Sequence, residues 1–401
     1  MRPRILFLVP ADYDALRRKG VDRMILERDE DGFFERVLTV HPLAMHDRTI
    51  DLTPVHRILE FSAGRCVQPA SVGGMDALPF RLLSVARRLR RVVREERIDL
   101  IRANDAYLMG LLGWMLARRS GLPFCVSIHA PYDARFALTP ASGLRWIRRR
   151  LVSRLPRFVL RRAGLVLPIR DHLATAAIAG GARPDRVRVI PHGIDLQPFT
   201  GAGAVDIRRE LGIGPDVAII SFVGRLSGDN YVDDLLAVAE RLAARRQDFV
   251  LVIAGGGELA PRVDEWMARS AHAGRHVRVV GFWPRDKVIA LRQASLVALV
   301  FMGGFSLIEA CAAGCVPIAY DVEWHHELVI DGVTGILAAE RDIEAVVAGI
   351  ERLLDDRALA ERMGRAARKM AFERHDIRRT SQLKREAYQS LIDGAGAGAL
   401  A

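Results

Sequence analysis

The segment Gly303-Gly-Phe-Ser-Leu-Ile-Glu309 combines residue types that could bind an anionic ligand. Two glycines after an apolar run allow the backbone to approach a ligand closely. A helix predicted to begin near Ser306 would aim its first amides and the positive end of its dipole at a phosphate. A second interpretation is structural, because Ser306 and Glu309 stand at the spacing of a capping box. The carboxylate of Glu309 opens an apolar helix and, where buried, needs partners such as ligand hydroxyls.

A second candidate is Arg225, which follows Gly224 directly after the predicted strand Ala218–Val223. The planar guanidinium group can give a phosphate two parallel, charge-assisted hydrogen bonds. The alternative is an ordinary surface arginine, and the spacing alone favours neither interpretation.

The segment Gly255-Gly-Gly-Glu-Leu-Ala260 follows the predicted strand Phe249–Ala254 and fits the pattern G-x-G-x-x-A. A dinucleotide site would also require an acidic residue after the next strand, where Gly281, Phe282 and Trp283 stand instead. The pattern therefore favours a tight strand-to-helix turn. A phosphate or a base near the backbone of Gly255 and Gly256 remains compatible with it.

His129 ends the predicted strand Phe124–His129, at the sheet edge where open α/β sheets bind ligands. A histidine in that position could donate to a sugar hydroxyl or act as an acid or base. A purely structural histidine is the alternative.

Between and around these segments, the chain alternates short apolar runs with long amphipathic stretches. Fully apolar strands separated by helices are typical of parallel sheets covered on both faces, and two such series predict two doubly wound α/β domains. The predicted strands of the first series are Ile5–Pro10, Arg36–Val40, Asp99–Ala103, Phe124–His129, Leu165–Ile169 and Val187–Pro191. Those of the second are Ala218–Val223, Phe249–Ala254, Val277–Val280, Leu296–Val300 and Val316–Tyr320.

A turn-rich segment followed by small residues predicts a linker at residues 196–216. The domains are then residues 1–195 and 217–375, with a last helix at about 376–393. Residues 394–401 are glycine and alanine apart from Leu400, and they are expected to fray.

The 401 residues are half hydrophobic, which excludes intrinsic disorder and a disulfide-stapled miniprotein. No signal peptide or membrane span is predicted. The four cysteines, Cys66, Cys125, Cys311 and Cys315, are expected to be reduced thiols of a cytoplasmic protein. Cys311 and Cys315 could share one helix face and bind a metal, but packing is the favoured interpretation, and no metal is expected.

The formal net charge of +11 predicts an anionic partner. Eight arginines and no acidic residue lie between Leu144 and Arg162. Such a basic, aromatic-containing stretch could lie on an anionic membrane, or it could be a solvated face. The residues predicted for a membrane or acceptor surface are Arg145, Trp146, Arg148, Arg149 and Arg150. Nucleic acid is not the expected partner, because the arginines are not joined to a recognisable reading motif.

Taken in order, these segments resemble glycosyltransferases of the GT-B architecture, most closely the retaining family 4. The resemblance is specific over residues 190–375, through the segments 189–199, 222–226, 303–317 and 327–335, and looser before them. It implies two Rossmann-like domains facing a cleft, with a nucleotide-sugar donor on the second and an acceptor mostly on the first. It also implies that the last helix crosses back onto the first domain.

Carried over residue by residue, the resemblance makes His129, Arg225 and Glu309 the catalytic residues. Arg225 would hold the donor diphosphate, Glu309 would accept hydrogen bonds from ribose, and His129 would contact the transferred sugar. The donor-binding residues it implies are Gly224, Arg225, Asn230, Gly255, Gly256, Phe282, Gly303, Gly304, Phe305, Ser306, Leu307 and Glu309.

The chain departs from the family pattern at three places. Asn230 stands where the family usually has a lysine, Phe301 stands where it has a glutamate, and Pro10-Ala-Asp-Tyr-Asp14 replaces a glycine-rich loop. The predicted function is transfer of a sugar from a nucleoside-diphosphate sugar to an acceptor hydroxyl, with retention. The acceptor could be lipid-linked or a saccharide of the cell envelope, and the enzyme could sit peripherally on the inner face of the cytoplasmic membrane.

Two alternatives are a protein of the same fold that binds a nucleotide sugar or a partner without turnover, and a relative with another reaction, such as an epimerase or a phosphorylase.

Overall fold

The computed structural model describes residues 2–18, 28–62, 78–130, 154–201 and 205–398. Contacts within the chain divide it into two compact units. The first contains Met1–His192 and Thr380–Ala401, and the second contains Gly193–Arg379.

The first unit is built on a seven-stranded sheet. Its strands are β1 (Arg4–Leu8), β2 (Arg36–Ala44), β3 (Arg48–Asp51), β4 (His56–Ser62), β5 (Leu100–Ala103), β6 (Phe124–Ile128) and β7 (Leu165–Pro168). The spatial order is β3-β4-β2-β1-β5-β6-β7, and all neighbours are parallel except the edge strand β3, which is antiparallel to β4. The sheet is buried on both faces because the strand residues are apolar on both sides, as Ile5 to Leu8 illustrate.

Helices cover both faces of this sheet. They are α1 (Tyr13–Arg18), α2 (Leu78–Glu95), α3 (Leu108–Ser120), α4 (Asp171–Ala179) and the second part of a long final helix. Residues 154–160 are also helical. One core joins α2, α3 and α4 to the sheet through residues such as Leu89, Leu112 and Leu173. The core on the other face contains Phe7, Phe34 and Tyr388.

The second unit contains a six-stranded parallel sheet. Its strands are β8 (Ala218–Val223), β9 (Phe249–Ala254), β10 (Val277–Gly281), β11 (Val297–Leu299), β12 (Val316–Tyr320) and β13 (Ile336–Ala338). The order β10-β9-β8-β11-β12-β13 is that of a Rossmann-type sheet, in which the strand order reverses between β8 and β11.

Amphipathic helices pack on both faces of the second sheet. They are α5 (Ile207–Leu211), α6 (Val232–Arg245), α7 (Ala260–Arg269), α8 (Ala273–His276), α9 (Arg285–Ala294), α10 (Phe305–Ala313), α11 (Ile343–Asp355) and α12 (Arg357–His375). In α6 the buried residues Val232, Leu235, Leu236, Ala239 and Leu242 recur at helical spacing, and this periodicity places the helix on the sheet. The prediction of two doubly wound α/β domains is therefore confirmed.

The final helix, α13 (Ile377–Gly398), begins in the second unit and continues through the first. Within the first unit the buried carboxylate of Glu30 accepts hydrogen bonds from Ser381 Oγ at 2.8 Å and Lys384 Nζ at 3.0 Å. Tyr388 is fully buried, and its hydroxyl accepts from Arg102. A buried carboxylate with two donors and a buried aromatic ring fix this part of α13 on the first sheet.

Four features differ from the sequence-based expectations. The strands β3, β4 and β13 were not predicted, and the predicted strand 187–191 forms only a bridge from Val187 to Val166. Residues 193–201 belong to the second unit, since Leu196 and Phe199 are buried in its core; the predicted boundary lay at residues 196–216. Helix α13 extends to Gly398, into the stretch for which fraying was expected.

Candidate functional site

The carboxyl ends of β8 and β11 lie side by side at the point where the order of the second sheet reverses. Open α/β sheets bind ligands outside this position. Gly224 and Arg225 follow β8, Gly303 and Gly304 follow β11, and Gly255 follows the adjacent strand β9. The fold thus gathers the predicted donor-binding segments of the second unit at one sheet edge.

Arg225 is an exposed cation at this edge, and it forms no ion pair with the described residues. Its carbonyl oxygen accepts a hydrogen bond of 2.7 Å from Nδ2 of Asn230, which also lies 3.3 Å from Ser227 Oγ. Asn230 therefore holds the loop that carries Arg225, and its amide nitrogen is used within that loop. The side chain of Arg225 is left to face solvent, where a phosphate could receive its bidentate hydrogen bonds.

The glycine-rich turn after β9 packs its backbone directly against the Arg225 loop. A Cβ atom on Gly255, whose φ is +144°, would lie 1.9 Å from the carbonyl oxygen of Gly224, and one on Gly257 would lie 2.4 Å from that of Leu226. A Cβ on Gly256 would meet no atom within 4 Å. Gly255 and Gly257 are thus needed for the contact between the two loops, whereas Gly256 faces open space.

Helix α10 begins at Phe305, with Gly304 at its N-cap position and no side chain capping it. The alternative interpretation of Ser306 and Glu309 as a capping box is wrong, because Ser306 lies inside the helix and its hydroxyl donates to the carbonyl oxygen of Val223 at 2.7 Å. The amides of the first turn of α10 are consequently not covered by a capping side chain, which suits an anion site.

A buried arginine that the sequence analysis did not identify lies beneath this helix end. Nη2 of Arg292 donates to Ser306 Oγ at 2.7 Å, while its Nε and Nη1 atoms are buried without a hydrogen-bond partner. Burial, opposed by the nearby Glu309 carboxylate, lowers the pKa of Arg292. Neither the type nor the spacing of Arg292 within α9 marks it in the sequence, so only the three-dimensional contact could reveal it.

The amide of Gly303 is not directed to a ligand. It donates to Nε2 of the buried His325 at 2.9 Å, and Nδ1 of His325 lies 2.7 Å from the Tyr320 carbonyl oxygen. Burial lowers the pKa of His325, which favours the neutral ring that can accept this bond. Gly303 thus anchors the loop. The neighbouring Gly304 is exposed, and a Cβ atom added to it would meet no atom within 4 Å.

Glu309 lies one turn into α10, with 21% of its side chain exposed. Its Oε1 atom is 3.9 Å from Nη2 of Arg285, at the outer limit of an ion pair. The carboxylate is therefore partly buried at the sheet edge with oxygen atoms available for ligand hydroxyls. The side chain of Leu307 is fully buried in the core, so only its backbone could face a donor. Phe305 is half-buried.

Phe282 follows β10 at the same edge and is the most exposed large apolar side chain among the described residues, at 90%. Its position beyond Gly281, whose carbonyl oxygen accepts from the Gly255 amide at 2.8 Å, places a free aromatic ring beside the glycine-rich turn. A flat apolar surface of this kind can stack on a nucleobase.

Phe301 is fully buried and stacks on Tyr320, with ring centroids 4.7 Å apart. The Tyr320 hydroxyl in turn donates to Asp234 Oδ2 at 2.8 Å. The position where the family pattern has a glutamate is therefore part of the core in this chain, and its side chain does not reach the ligand edge.

His129 belongs to the first unit, where it follows β6. Its Nε2 atom shares a hydrogen bond of 2.9 Å with Ser127 Oγ, and its ring stacks on His192 at 5.4 Å. Desolvation by the atoms around the ring, together with the charges of His192 and Arg102, holds the pKa of His129 well below its ordinary value, although the residue as a whole is exposed. A neutral ring at the carboxyl end of a strand can exchange hydrogen bonds with a hydroxyl group.

The remaining predicted residues, Arg145, Trp146, Arg148, Arg149 and Arg150, lie outside the described residues. Within the described part of the chain, none of the helices is both long and apolar enough to cross a bilayer. Cys311 and Cys315 are buried in the core beside α12, and the Cys315 thiol donates to the Arg292 carbonyl oxygen at 2.8 Å.

Two family models match the chain. Residues 14–198 match the model described as Glycosyltransferase Family 4, and residues 205–370 match that of Glycosyl transferases group 1. A D-inositol 3-phosphate glycosyltransferase of Geodermatophilus obscurus is 30% identical over 338 residues, covering 77% of this chain and 72% of that protein. A 2-deoxystreptamine glucosyltransferase of Streptomyces kanamyceticus is 29% identical over 310 residues, covering 73% and 78%.

Solved structures share the fold at low identity. HepE from Anabaena in complex with UDP has a TM-score of 0.70 at 18% identity, covering 96% of this chain and all of that one. Sucrose-phosphate synthase from Thermosynechococcus elongatus has a TM-score of 0.68 at 20% identity, covering 98% of this chain and all of that one.

Proposed function

Since this chain belongs to the family 4 glycosyltransferases, which include the group 1 glycosyl transferases, we propose that it uses a nucleoside-diphosphate sugar as its donor. It is a glycosyltransferase of the GT-B fold class. The proposed reaction transfers the sugar to an acceptor hydroxyl with retention of the anomeric configuration. Structures of the same fold in complex with UDP and with UDP-glucose support a nucleotide-sugar donor.

One observation supports the donor site above all. Arg225 faces solvent two residues beyond Val223, whose carbonyl oxygen is bonded to Ser306 in the uncapped first turn of α10. A guanidinium group and a row of helix amides therefore lie at the same sheet edge. Together they would stabilise the negative charge that develops on the departing diphosphate.

The other roles follow from chemistry and position. Glu309 would accept hydrogen bonds from the ribose hydroxyls, and the exposed ring of Phe282 would cover the base. The open face of Gly256 would leave room for the phosphates. In the first unit, the neutral His129 would bond to a hydroxyl of the transferred sugar.

The donor site is tested by thermal unfolding with UDP, GDP, ADP and CDP and their common sugars. A ligand at a hundred times its Kd stabilises the folded state by about 2.7 kcal/mol. We expect a response to one base, which Arg225→Ala and Glu309→Ala abolish. The control is Arg365→Ala, which removes an exposed arginine from α12. A response to no nucleotide, or one that both site variants keep, would contradict the proposal.

Turnover is tested by release of the nucleoside diphosphate with panels of saccharide and lipid-linked acceptors. Retention requires that the product keep the anomeric configuration of the donor, which proton NMR reads directly. An inverted product would overturn this part of the proposal alone.

The proposed setting is cell-envelope polysaccharide or glycolipid synthesis, with the protein in the cytoplasm or peripherally on the membrane. The relevant surface is the stretch containing Arg145, Trp146, Arg148, Arg149 and Arg150, which would attract anionic lipids. Replacing these four arginines by glutamine should reduce sedimentation with anionic vesicles at low salt. Unchanged sedimentation would argue against this surface.

A second candidate function is binding without turnover. It is favoured by Asn230, whose amide is used to hold its own loop and supplies no cation, and by the burial of Phe301. Nucleotide affinity that depends on Arg225, together with no diphosphate release for any donor and acceptor pair, would establish it.

A further inference from the structure

A cavity of about 880 Å³ opens in the first unit at the amino ends of β6 and β7. This is the opposite end of the strands from His129, which follows the carboxyl end of β6. The cavity is bounded by α3, by residues 185–190 and by the first-unit part of α13. It is therefore separate from the sheet edge that carries the predicted sugar-contacting histidine, and its volume is that of a small-molecule site.

Four arginines line this cavity: Arg118, Arg162, Arg186 and Arg188. None of them pairs with a carboxylate among the described residues. Of the two acids in the lining, Asp185 is paired, since both of its oxygens accept from Arg183, at 3.1 and 2.8 Å. Glu386 accepts from the neutral Gln382 at 2.9 Å and keeps its charge, but it faces four arginines. The cavity therefore carries an excess of positive charge and attracts anions.

The rest of the lining is largely apolar. Trp114, Phe124, Leu165, Ile190 and Leu391 contribute rings and branched chains. The guanidinium of Arg162 lies over the Phe158 ring at 3.9 Å and over the Trp114 ring at 5.7 Å, so its plane covers aromatic surface as well. A simple inorganic anion would leave this apolar surface without a partner.

We propose that this cavity binds an anionic phospholipid, with its phosphate group among the four arginines and part of an acyl chain against the apolar wall. Arginine gives a phosphodiester bidentate hydrogen bonds, and hydrocarbon buried against Trp114 and Leu391 supplies the remaining affinity. The charge and the apolar surface together require an amphiphile. The site is independent of the donor site and would hold the enzyme at a membrane without taking part in the transfer.

The test is titration calorimetry on the full chain with dihexanoyl phosphatidylglycerol below its micelle concentration. Parallel titrations use dihexanoyl phosphatidylcholine and inorganic phosphate. We expect saturable binding of one phosphatidylglycerol per chain, and binding of the other two at least tenfold weaker. If inorganic phosphate binds as tightly as the lipid, the cavity binds anions without using its apolar wall. If phosphatidylcholine binds as tightly as phosphatidylglycerol, the arginines do not select the lipid. Either result, or no binding, overturns the proposal.

Two variants locate the lipid. Arg186→Gln/Arg188→Gln should weaken phosphatidylglycerol binding at least tenfold. The matched control, Arg87→Gln/Arg91→Gln, removes the same charge from exposed positions of α2 and should change binding less than twofold. An equal loss of phosphatidylglycerol affinity in the two double variants would show that the lipid responds only to the net charge of the protein.

Ala395→Trp fills the cavity from the exposed end of α13, without altering a buried residue, and should also weaken binding. Unchanged binding in this variant would overturn the placement of the acyl chain. The nucleotide titration of the Arg225 site is read separately on the same variants, so a failure of the lipid site and a failure of the donor site are distinguishable.

Discussion

The hydroxyl group of Ser306 donates to the carbonyl oxygen of Val223 across 2.7 Å, and it accepts from the buried guanidinium of Arg292 at the same distance. The bond to Val223 joins the first turn of α10 to the end of β8, where the loop that carries Arg225 begins. The serine therefore sets the distance between the helix amides and the arginine that the donor diphosphate would bridge.

Replacing Ser306 by alanine should weaken both folding and donor binding. The free energy of unfolding should fall by about 1–3 kcal/mol, because Arg292 would lose its one hydrogen-bonded side-chain partner. The control is Ser295→Ala, which removes a buried hydroxyl that donates to the Leu291 carbonyl oxygen at 2.6 Å, inside α9. Urea unfolding should show losses for both variants, but nucleotide affinity should fall only for Ser306→Ala. Equal affinity in the two variants would refute the positioning role.

The two adjacent glycines of the β9 turn should respond differently to alanine. In Gly257→Ala the new methyl group would lie 2.4 Å from the Leu226 carbonyl oxygen, so the Arg225 loop must shift and stability should fall. In Gly256→Ala the methyl group meets open space, and the midpoint of thermal unfolding should change little. If Gly256 faces the donor phosphates, this second variant should still lose nucleotide affinity. Equal destabilisation of the two variants would contradict the packing described above.

Phe301→Glu should not restore the carboxylate of the family pattern. Because Phe301 is fully buried against Tyr320, the substitution places an acid in the core. The free energy of unfolding should fall by at least as much as truncating a buried phenylalanine costs, which is about 3–5 kcal/mol. The matched variant Phe301→Leu should be milder and should keep nucleotide binding. A stable, more active Phe301→Glu protein would show that this side chain can turn to the ligand edge.

Acid should destabilise the protein through His41. Burial and the nearby Arg28 lower the pKa of this histidine from 6.5 to about 4. Because the unfolded chain takes up the proton first, the free energy of unfolding is unaffected above about pH 6.5 and falls as the pH decreases toward 4; the loss from this group at about pH 5 is about 2 kcal/mol. His41→Gln should flatten the pH dependence of urea unfolding by that amount, whereas His46→Gln, at an exposed position, should not. An unchanged slope in His41→Gln would contradict the assignment.

The parts of the fold that the sequence predicted are those whose signal is local. β8, β9 and β12 have the predicted bounds, because a strand buried on both faces is a continuous apolar run with a turn at each end. β4 was missed because Glu60 interrupts its apolar pattern. That glutamate is buried through a long-range partner, Arg48 Nε on β3 at 2.7 Å, which no local pattern announces.

In the candidate site, too, the features with a local sequence signal could be predicted, and those that depend on distant residues could not. Glycines after strands and the position of Arg225 can be located from the strand pattern and the switch-point rule. The hydrogen bonds of Ser306 and of the Gly303 amide depend on residues 83 and 22 positions away, and the role of Arg292 depends on its burial. The capping-box pattern failed here because the helix begins at Phe305, which places Gly304 and not Ser306 at the N-cap.

The path of α13 has a consequence for protein engineering. The first unit is completed by residues that come after the whole second unit in the chain, and the buried Glu30 carboxylate depends on Ser381 and Lys384 for its hydrogen bonds. A chimera that exchanged only residues up to His192 with a relative would mix a foreign sheet with the native helix. The first unit is therefore transferable between relatives only as a discontinuous cassette that includes the segment after Arg379.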